Sequence, residues 1–138
     1  MALVVPDGAE KIILDLLRNL TNFNAAVIKL YKNNYTPIDT TVHADFTEAN
    51  YTGYVAQTLG SGVAATTVSG KAYVPYTQRT FQVTSSPTVT NLIYGYWIYS
   101  SASGSMLWAE RFTSAPISMV LAGDTIKLTP TLTLFSEF

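Results

Sequence analysis

Residues 91–112 read NLIYGYWIYSSASGSMLWAERF, which is the clearest β-hairpin pattern in the chain. A long strand is predicted over Asn91–Tyr99 and a second strand over Met106–Phe112. The small residues of Ser100–Gly104 predict the turn between them. The two strands are therefore expected to pair in antiparallel fashion and to bring several aromatic side chains together.

Both faces of this predicted hairpin are apolar or aromatic, although an antiparallel strand at a solvated surface normally has one polar face. Three explanations remain open. A second sheet and the N-terminal helix cover the hairpin, or its second face packs on another chain, or its rings form a platform for a sugar. Because Tyr and Trp are enriched at protein interfaces, four side chains are candidate interface anchors: Tyr96, Trp97, Tyr99 and Trp108.

Short strand patterns separated by turn residues fill the chain from residue 25 onward. Outside the hairpin, strands are predicted over Ala26–Lys32, Thr41–Ala44, Tyr51–Leu59, Arg79–Thr84, Ala115–Val120 and Thr125–Phe135, while 63–75 fits a strand or a mobile loop. Pro130 indicates a sheet edge or a bulge in the last strand. This spacing predicts a mostly β fold, namely an antiparallel β-sandwich or jelly-roll-like domain.

One amphipathic helix is predicted near the N-terminus, over residues 7–20. Asp7 and Glu10 have the spacing of a capping box. Six residues recur at helical intervals and form its apolar face: Ala9, Ile12, Ile13, Leu16, Leu17 and Leu20. This face needs a partner, so the helix either caps its own sheet or extends as an arm onto a neighbouring subunit.

The expected domain organisation is an N-terminal arm and helix at residues 1–24, followed by a β-sandwich domain at residues 25–138. Three apolar residues, Leu3, Val4 and Val5, precede the helix. Because an extended segment can pair with an exposed strand, these three residues are further candidate interface contacts that add a strand to a partner's sheet edge.

Composition excludes several classes of site. The 138 residues contain no Cys and one His, which excludes disulfide scaffolds, thiolate zinc sites, thiol nucleophiles and any site that needs two histidines. No apolar run reaches about 18 residues, so no transmembrane helix is expected. The N-terminus lacks the basic region of a signal peptide, so synthesis in a cytoplasm is expected. No cofactor is predicted.

Charge is sparse and balanced. Eight Lys and Arg against nine Asp and Glu give a net charge of −1, which argues against a nucleic-acid-binding protein that acts through its overall field. Charged residues make up 12% of the chain. Because soluble monomers normally keep a well-charged surface, this low share favours a protein that hides much of its surface in an assembly.

The only cluster with metal-ligand chemistry is His43, Asp45 and Glu48. The favoured interpretation is structural: a helical turn over Asp45–Ala49 in which Asp45 caps the turn, Glu48 completes a capping box and His43 lies at the surface. Any two of Asp45, Glu48 and Glu110 would supply the carboxylate pair of a glycosidase, but no motif indicates such an enzyme. The nucleophile elbow of a serine hydrolase is also absent from the sequence. The prediction is a non-enzymatic protein with no catalytic residue and no metal site.

Two blocks of sequence resemble a known group of proteins. The first block comprises LYKNNYTP at residues 30–37, DFTEA at 45–49 and YTGY at 51–54, and the second runs from GYWI at 95–98 to LWAERF at 107–112. The pattern covers most of residues 25–135. It is similar to that of small proteins encoded among the structural genes of tailed phages.

The resemblance implies a virion component, either a capsid decoration or cement protein or a small tail- or fibre-associated subunit. Phage cement proteins are commonly small β domains that join as dimers or trimers over gaps between shell subunits. We therefore expect a structural protein assembled in the host cytoplasm that binds the major capsid protein or another virion protein, and a copy of itself. The alternative is a carbohydrate-binding β module.

Overall fold

The structure is a computed structural model that describes residues 14–17, 20–60, 62, 64–86 and 89–134. Within these ranges the chain is mostly β, its named strands pair in antiparallel fashion, and a short helical region precedes the first strand. The predicted mostly β, sandwich-like fold with an N-terminal helix is confirmed.

The described strands form four sheets. In chain order the strands are β1 (Ala26–Tyr31), β2 (Gln57–Thr58), β3 (Thr66–Val68), β4 (Lys71–Pro75), β5 (Arg79–Gln82), β6 (Asn91–Ile93), β7 (Gly95–Ser100), β8 (Met106–Arg111), β9 (Ile117–Met119), β10 (Thr125–Leu128) and β11 (Thr131–Leu134). The largest sheet has the order β2-β1-β7-β8, and the others are β11-β4-β3, β10-β5 and β6-β9. Helix α1 spans Thr21–Asn24, and a 3-10 turn spans His43–Asp45. None of the helical segments described here is long and apolar enough to cross a bilayer.

The main hydrophobic core lies on one face of the four-stranded sheet. Ile28 of β1 and Ile98 of β7 are register partners, and both are fully buried. Since side chains alternate across a strand, every second residue of β1 and β7 faces this core. The smaller sheets supply the opposite side of the core: Ala72, Val74, Phe81, Ile93, Met119, Ile126 and Leu128.

The predicted strand Asn91–Tyr99 is two strands, so this part of the hairpin prediction is wrong. β6 pairs with β9, whereas β7 pairs with β1 and β8, and the chain changes sheets at Tyr94. In one continuous strand, Ile93 would lie on the same face as Trp97. The structure instead places Ile93 in the main core together with Tyr96. A strand that leaves one sheet for another cannot keep a single alternation along its length.

Thr125–Phe135 also divides into two strands, β10 and β11, on either side of Pro130. These strands pair with β5 and β4 respectively. Proline has no N–H to donate to a ladder, which explains why one strand ends here and the next begins in another sheet. The alternative of a strand within residues 63–75 is confirmed by β3 and β4.

The segment between β1 and β2 contains less strand than predicted. Thr41–Ala44 is not a strand, because the Thr41 side chain accepts from Ile38 N at 2.7 Å and Asp45 closes the 3-10 turn that follows. Such side-chain-to-backbone bonds compete with sheet pairing. Of the predicted strand Tyr51–Leu59, only β2 forms.

The N-terminal helix is described only in part, since residues 7–13 of its predicted range lie outside the described residues. Residues 14–17 are helical, with Leu14 fully buried in the main core and Leu17 packed against it. The described turn of the helix therefore packs on its own body. The predicted apolar face holds at Leu17 but is wrong at Leu16, which is 64% exposed, and at Leu20, which is 52% exposed. The Asp15 carboxylate accepts from Ala65 N at 3.0 Å, which fixes the rotation of this turn.

Gly95→Ala is expected to destabilise the fold by about 3 kcal/mol, because a Cβ at Gly95 would collide with the Glu110 carbonyl oxygen and the Tyr31 ring. Gly104→Ala is the control, since a Cβ there meets no atom within 4 Å and only the φ of 72° is strained, at about 1 kcal/mol. Urea unfolding measures both losses. A loss for Gly95→Ala no larger than for Gly104→Ala would contradict the close approach of β7 to its neighbours.

Tyr51→Phe is expected to stabilise the protein by about 1 kcal/mol, because the buried Tyr51 hydroxyl has no hydrogen-bond partner among the described residues. Tyr54→Phe is the matched control and should cost about 1 kcal/mol, since the Tyr54 hydroxyl accepts from Leu30 N at 3.1 Å. Thermal or urea unfolding at neutral pH measures whether each substitution raises or lowers the free energy of unfolding. A loss of stability in Tyr51→Phe equal to that in Tyr54→Phe would refute this assignment.

Tyr51 also makes the stability of the fold depend on pH in the alkaline range. Burial raises the pKa of Tyr51 to about 12, so the unfolded chain loses this proton before the folded chain does. The stability that depends on the neutral phenol is present below pH 10 and is lost as the pH rises through about 12. Tyr51→Phe should therefore lose less stability than the unsubstituted chain between these two pH values.

Candidate functional site

An aromatic cluster fills the second face of the four-stranded sheet. Trp97 is 1% exposed and stacks on Phe46 with ring centroids 5.0 Å apart. Tyr31 lies 4.7 Å from the same ring, and Tyr35 meets it edge-on at 5.5 Å. Phe46 belongs to the connection between β1 and β2, residues 32–56, which we call the covering loop. The chain therefore covers the second face of its own hairpin.

Hydrogen bonds hold the covering loop in place. Lys32 N donates to Thr47 O at 2.8 Å. The Asn33 amide bridges the loop, because its Nδ2 donates to Asp45 O at 2.9 Å and its Oδ1 accepts from Thr47 N at 2.8 Å. A connection of this length without regular strands is uncommon in a compact domain, and such loops usually have a function.

His43 ties the covering loop to the aromatic cluster. Trp97 Nε1 donates to His43 Nδ1 at 2.8 Å, and the imidazole stacks on the Tyr99 ring at 4.7 Å. An indole N–H can only donate, so His43 Nδ1 is an unprotonated acceptor. The buried indole thus has its one polar atom satisfied by the loop that covers it.

An ion pair fixes the far end of the covering loop. Lys29 Nζ lies 2.7 Å from Glu48 Oε2, and it also lies 5.2 Å from the Tyr99 ring centroid. Burial by itself would lower the pKa of Lys29, but the hydrogen bond and charge of Glu48 outweigh it and raise that pKa. The pair therefore favours the charged lysine beside the aromatic face.

The structure gives separate partners to the three side chains with metal-ligand chemistry. His43 bonds to Trp97, Glu48 pairs with Lys29, and the Asp45 carboxylate accepts from Val42 N at 2.8 Å. No three His, Cys, Asp or Glu side chains in the described ranges are arranged to hold a metal ion. The predicted capped turn is wrong in two respects. Asp45 ends the 3-10 turn rather than beginning a helical turn, and Glu48 caps nothing there.

The predicted interface anchors occupy different environments. Tyr96 is 7% exposed in the main core and Trp97 is buried in the aromatic cluster, so neither presents a surface to a partner. This corrects their prediction as anchors. Tyr99 and Trp108 are half-buried. Leu3, Val4 and Val5 lie outside the described residues.

Sequence reasoning missed the covering loop because its residues follow no strand or helix period. The explanation that the hairpin is covered on both faces holds at Tyr96 and Trp97, but the cover on the second face is this loop and not the predicted helix. One signal was available in the sequence. Phe46 and Tyr35 are aromatic residues in a segment otherwise rich in turn residues.

The outer surface of the covering loop carries exposed aliphatic side chains among polar ones. Ile38 is 64% exposed and Val42 55%, and the two flank a turn closed by Thr41 N donating to Ile38 O at 2.9 Å. Val42 lines a groove of about 470 Å³ between residues 41–44 and residues 104–106. Other large aliphatic side chains are also exposed in the described ranges: Leu16, Leu20, Val55, Val68, Val89, Leu92 and Leu121.

A second groove, of about 420 Å³, lies between β8 and β10. Its lining combines the Tyr96–Glu110 pair with Phe112 and Lys127. The Tyr96 hydroxyl donates to Glu110 Oε2 at 2.7 Å. Glu110 and His43 thus line separate grooves.

Comparisons with family models, with curated protein sequences and with solved structures gave no match to the chain. The site is therefore interpreted from its own residues.

A double-mutant cycle tests the link between the covering loop and the hairpin. His43→Ala should cost about 1–3 kcal/mol, because it leaves the buried Trp97 N–H without its acceptor. In a Trp97→Phe background the same substitution should cost much less, giving a coupling energy of about 1 kcal/mol or more. Urea unfolding of the four proteins measures the coupling. A coupling energy near zero would show that the hydrogen bond does not hold the loop.

Proposed function

We propose that this protein is a non-enzymatic structural component of a phage particle, a capsid decoration or cement protein. It binds the assembled shell through the major capsid protein or another virion protein, and it self-associates as a dimer or trimer. The proposal draws on the resemblance of its sequence blocks to small tailed-phage structural proteins. It is carried by one observation on the folded chain, the exposure of the aliphatic side chains of Ile38 and Val42 on the covering loop.

The two aliphatic side chains support an interaction role because they are exposed on a chain with few charges. Val42 lines an open groove, and Ile38 lies across the adjoining turn from it. Exposed apolar side chains at a groove are typical of sites where a protein contacts another molecule. With a net charge of −1, affinity would come from burial of aliphatic groups and not from electrostatic attraction.

The covering loop suits this role because its outer surface stands on a fixed base. Phe46 and His43 are held against Trp97, and Asn33 bridges two points of the loop backbone. A contact surface that is already ordered loses little conformational entropy on binding. The contact would centre on Ile38 and Val42, with the half-buried Tyr99 beside His43 of the same loop, whereas Trp108 lies on the main-core face of the sheet.

The first test is the copy number of this chain in purified particles from its source, measured by quantitative mass spectrometry against the major shell protein. A copy number similar to that of the shell protein supports a decoration or cement role. A copy number far below it moves the protein to the tail and overturns the capsid proposal. Absence from the particle overturns the virion proposal altogether.

Ile38→Asp combined with Val42→Asp is expected to weaken shell binding at least about tenfold, because the charges would lose their hydration in the contact. The melting temperature should stay nearly unchanged, since exposed substitutions alter stability by only about 0.5 kcal/mol. Val68→Asp is the control, because Val68 is as exposed as Val42 but lies on β3. Equal loss of binding in the control, or full binding in the double variant, would contradict the assigned surface.

A further inference from the structure

The groove between β8 and β10 has a lining unlike that of the apolar groove beside the covering loop. Glu110 and Lys127 supply one charge of each sign, and five residues supply its apolar part: Tyr96, Phe112, Ile117, Ile126 and Leu128. Hydroxyl groups complete the lining: Thr113, Ser114, Thr125 and Thr129. The groove lies where the four-stranded sheet and the β10-β5 sheet meet without pairing.

Glu110 is exposed near the end of β8. Residues two apart on a strand share a face, so Glu110 lies on the same face as Trp108 and Phe112, whose side chains pack against the main core. A charge on an edge strand protects that strand from pairing with other chains, and this explains a charge near the end of β8. Edge protection does not explain why the hydroxyl of the buried Tyr96 donates a hydrogen bond to the Glu110 carboxylate.

Tyr96 fixes the Glu110 carboxylate in the groove. The hydroxyl of Tyr96 donates to Glu110 Oε2 at 2.7 Å, and these two residues are register partners of β7 and β8. Burial raises the pKa of Tyr96, and the hydrogen bond and charge of Glu110 raise it further, so the phenol keeps its proton for this bond. One carboxylate oxygen is thus oriented by a residue that is 7% exposed. The charged group is preorganised at the wall of an open groove.

The chemistry of the lining selects the class of ligand. A groove with one carboxylate and one ammonium group does not favour a strongly charged ligand, and its many hydroxyl groups do not suit a hydrocarbon chain. An oriented carboxylate accepts hydrogen bonds from hydroxyl groups, an ammonium donates to them, and an aromatic ring packs against the C–H face of a pyranose. The volume of about 420 Å³ lies within the range of small-molecule sites.

We infer that the groove between β8 and β10 binds a neutral carbohydrate, with a sugar ring against Phe112 and its hydroxyl groups hydrogen-bonded to Glu110 and Lys127. This inference goes beyond the proposed virion role and does not depend on it. The aromatic strip expected on the hairpin is not the site, because Trp97 is covered by the loop.

The test is a titration of the isotopically labelled full chain with three neutral disaccharides, maltose, cellobiose and lactose, each followed by NMR to about 10 mM, which detects a millimolar Kd. Binding should shift the backbone amide signals of Glu110, Phe112 and Lys127. Glycerol and inorganic phosphate are added separately at the same concentration and should leave these signals in place. No shift with any of the disaccharides, or equal shifts with glycerol or phosphate, overturns the inference.

Substitutions then assign the contacts. Glu110→Gln keeps an oxygen for the Tyr96 hydroxyl but loses the charge, and it should weaken disaccharide binding about tenfold because hydrogen bonds to charged groups are stronger. Lys127→Met should also weaken binding, while Lys71→Met, an exposed lysine on β4, serves as the control. Unchanged affinity in both Glu110→Gln and Lys127→Met overturns the assignment of the groove. Lys127→Met and Lys71→Met should melt at the temperature of the unsubstituted chain, while Glu110→Gln should melt slightly lower because its bond to the Tyr96 hydroxyl loses the charge.

Discussion

Strand β7 is paired on both edges and covered on both faces, and the rest of the structure is arranged around this requirement. Its edges are satisfied by β1 and β8. Its main-core face packs Ile98 against the smaller sheets, and its other face packs Trp97 against Phe46 of the covering loop. A strand with aromatic or aliphatic residues on both faces is stable only when each face is removed from water.

The covering loop lies between the aromatic cluster and water, and each of its two sides has its own role. Its inner side satisfies the Trp97 indole through His43 and fills the aromatic cluster with Phe46. Its outer side carries Ile38 and Val42 in contact with water. The same hydrogen bonds that protect the hairpin therefore hold these two aliphatic side chains in a fixed position, which is the physical basis for the proposed contact with other virion proteins.

Several of the described charged side chains have specific partners. Lys29 pairs with Glu48 beside the aromatic cluster, and Arg111 donates to Tyr35 O at 2.9 Å while lying 5.0 Å from the Tyr94 ring centroid. Glu110 is bonded to Tyr96 at the second groove. Sparse charge thus leaves much of the described surface to hydroxyl and aliphatic groups, so recognition would depend on shape and burial more than on net charge.

The sequence by itself determined the fold class, the antiparallel pairing of the hairpin and the β1 strand, because strand alternation and turn residues are local signals. It also predicted a sheet edge or a bulge at Pro130, where the structure instead ends one strand and begins another. Only the tertiary structure decided that Tyr96 and Trp97 are interior, that Glu48 pairs with Lys29, and that the covering loop rather than the helix closes the second face. The reason is that an irregular loop has no period, and its position is fixed by contacts with residues distant in the chain, such as the bond from Trp97 to His43.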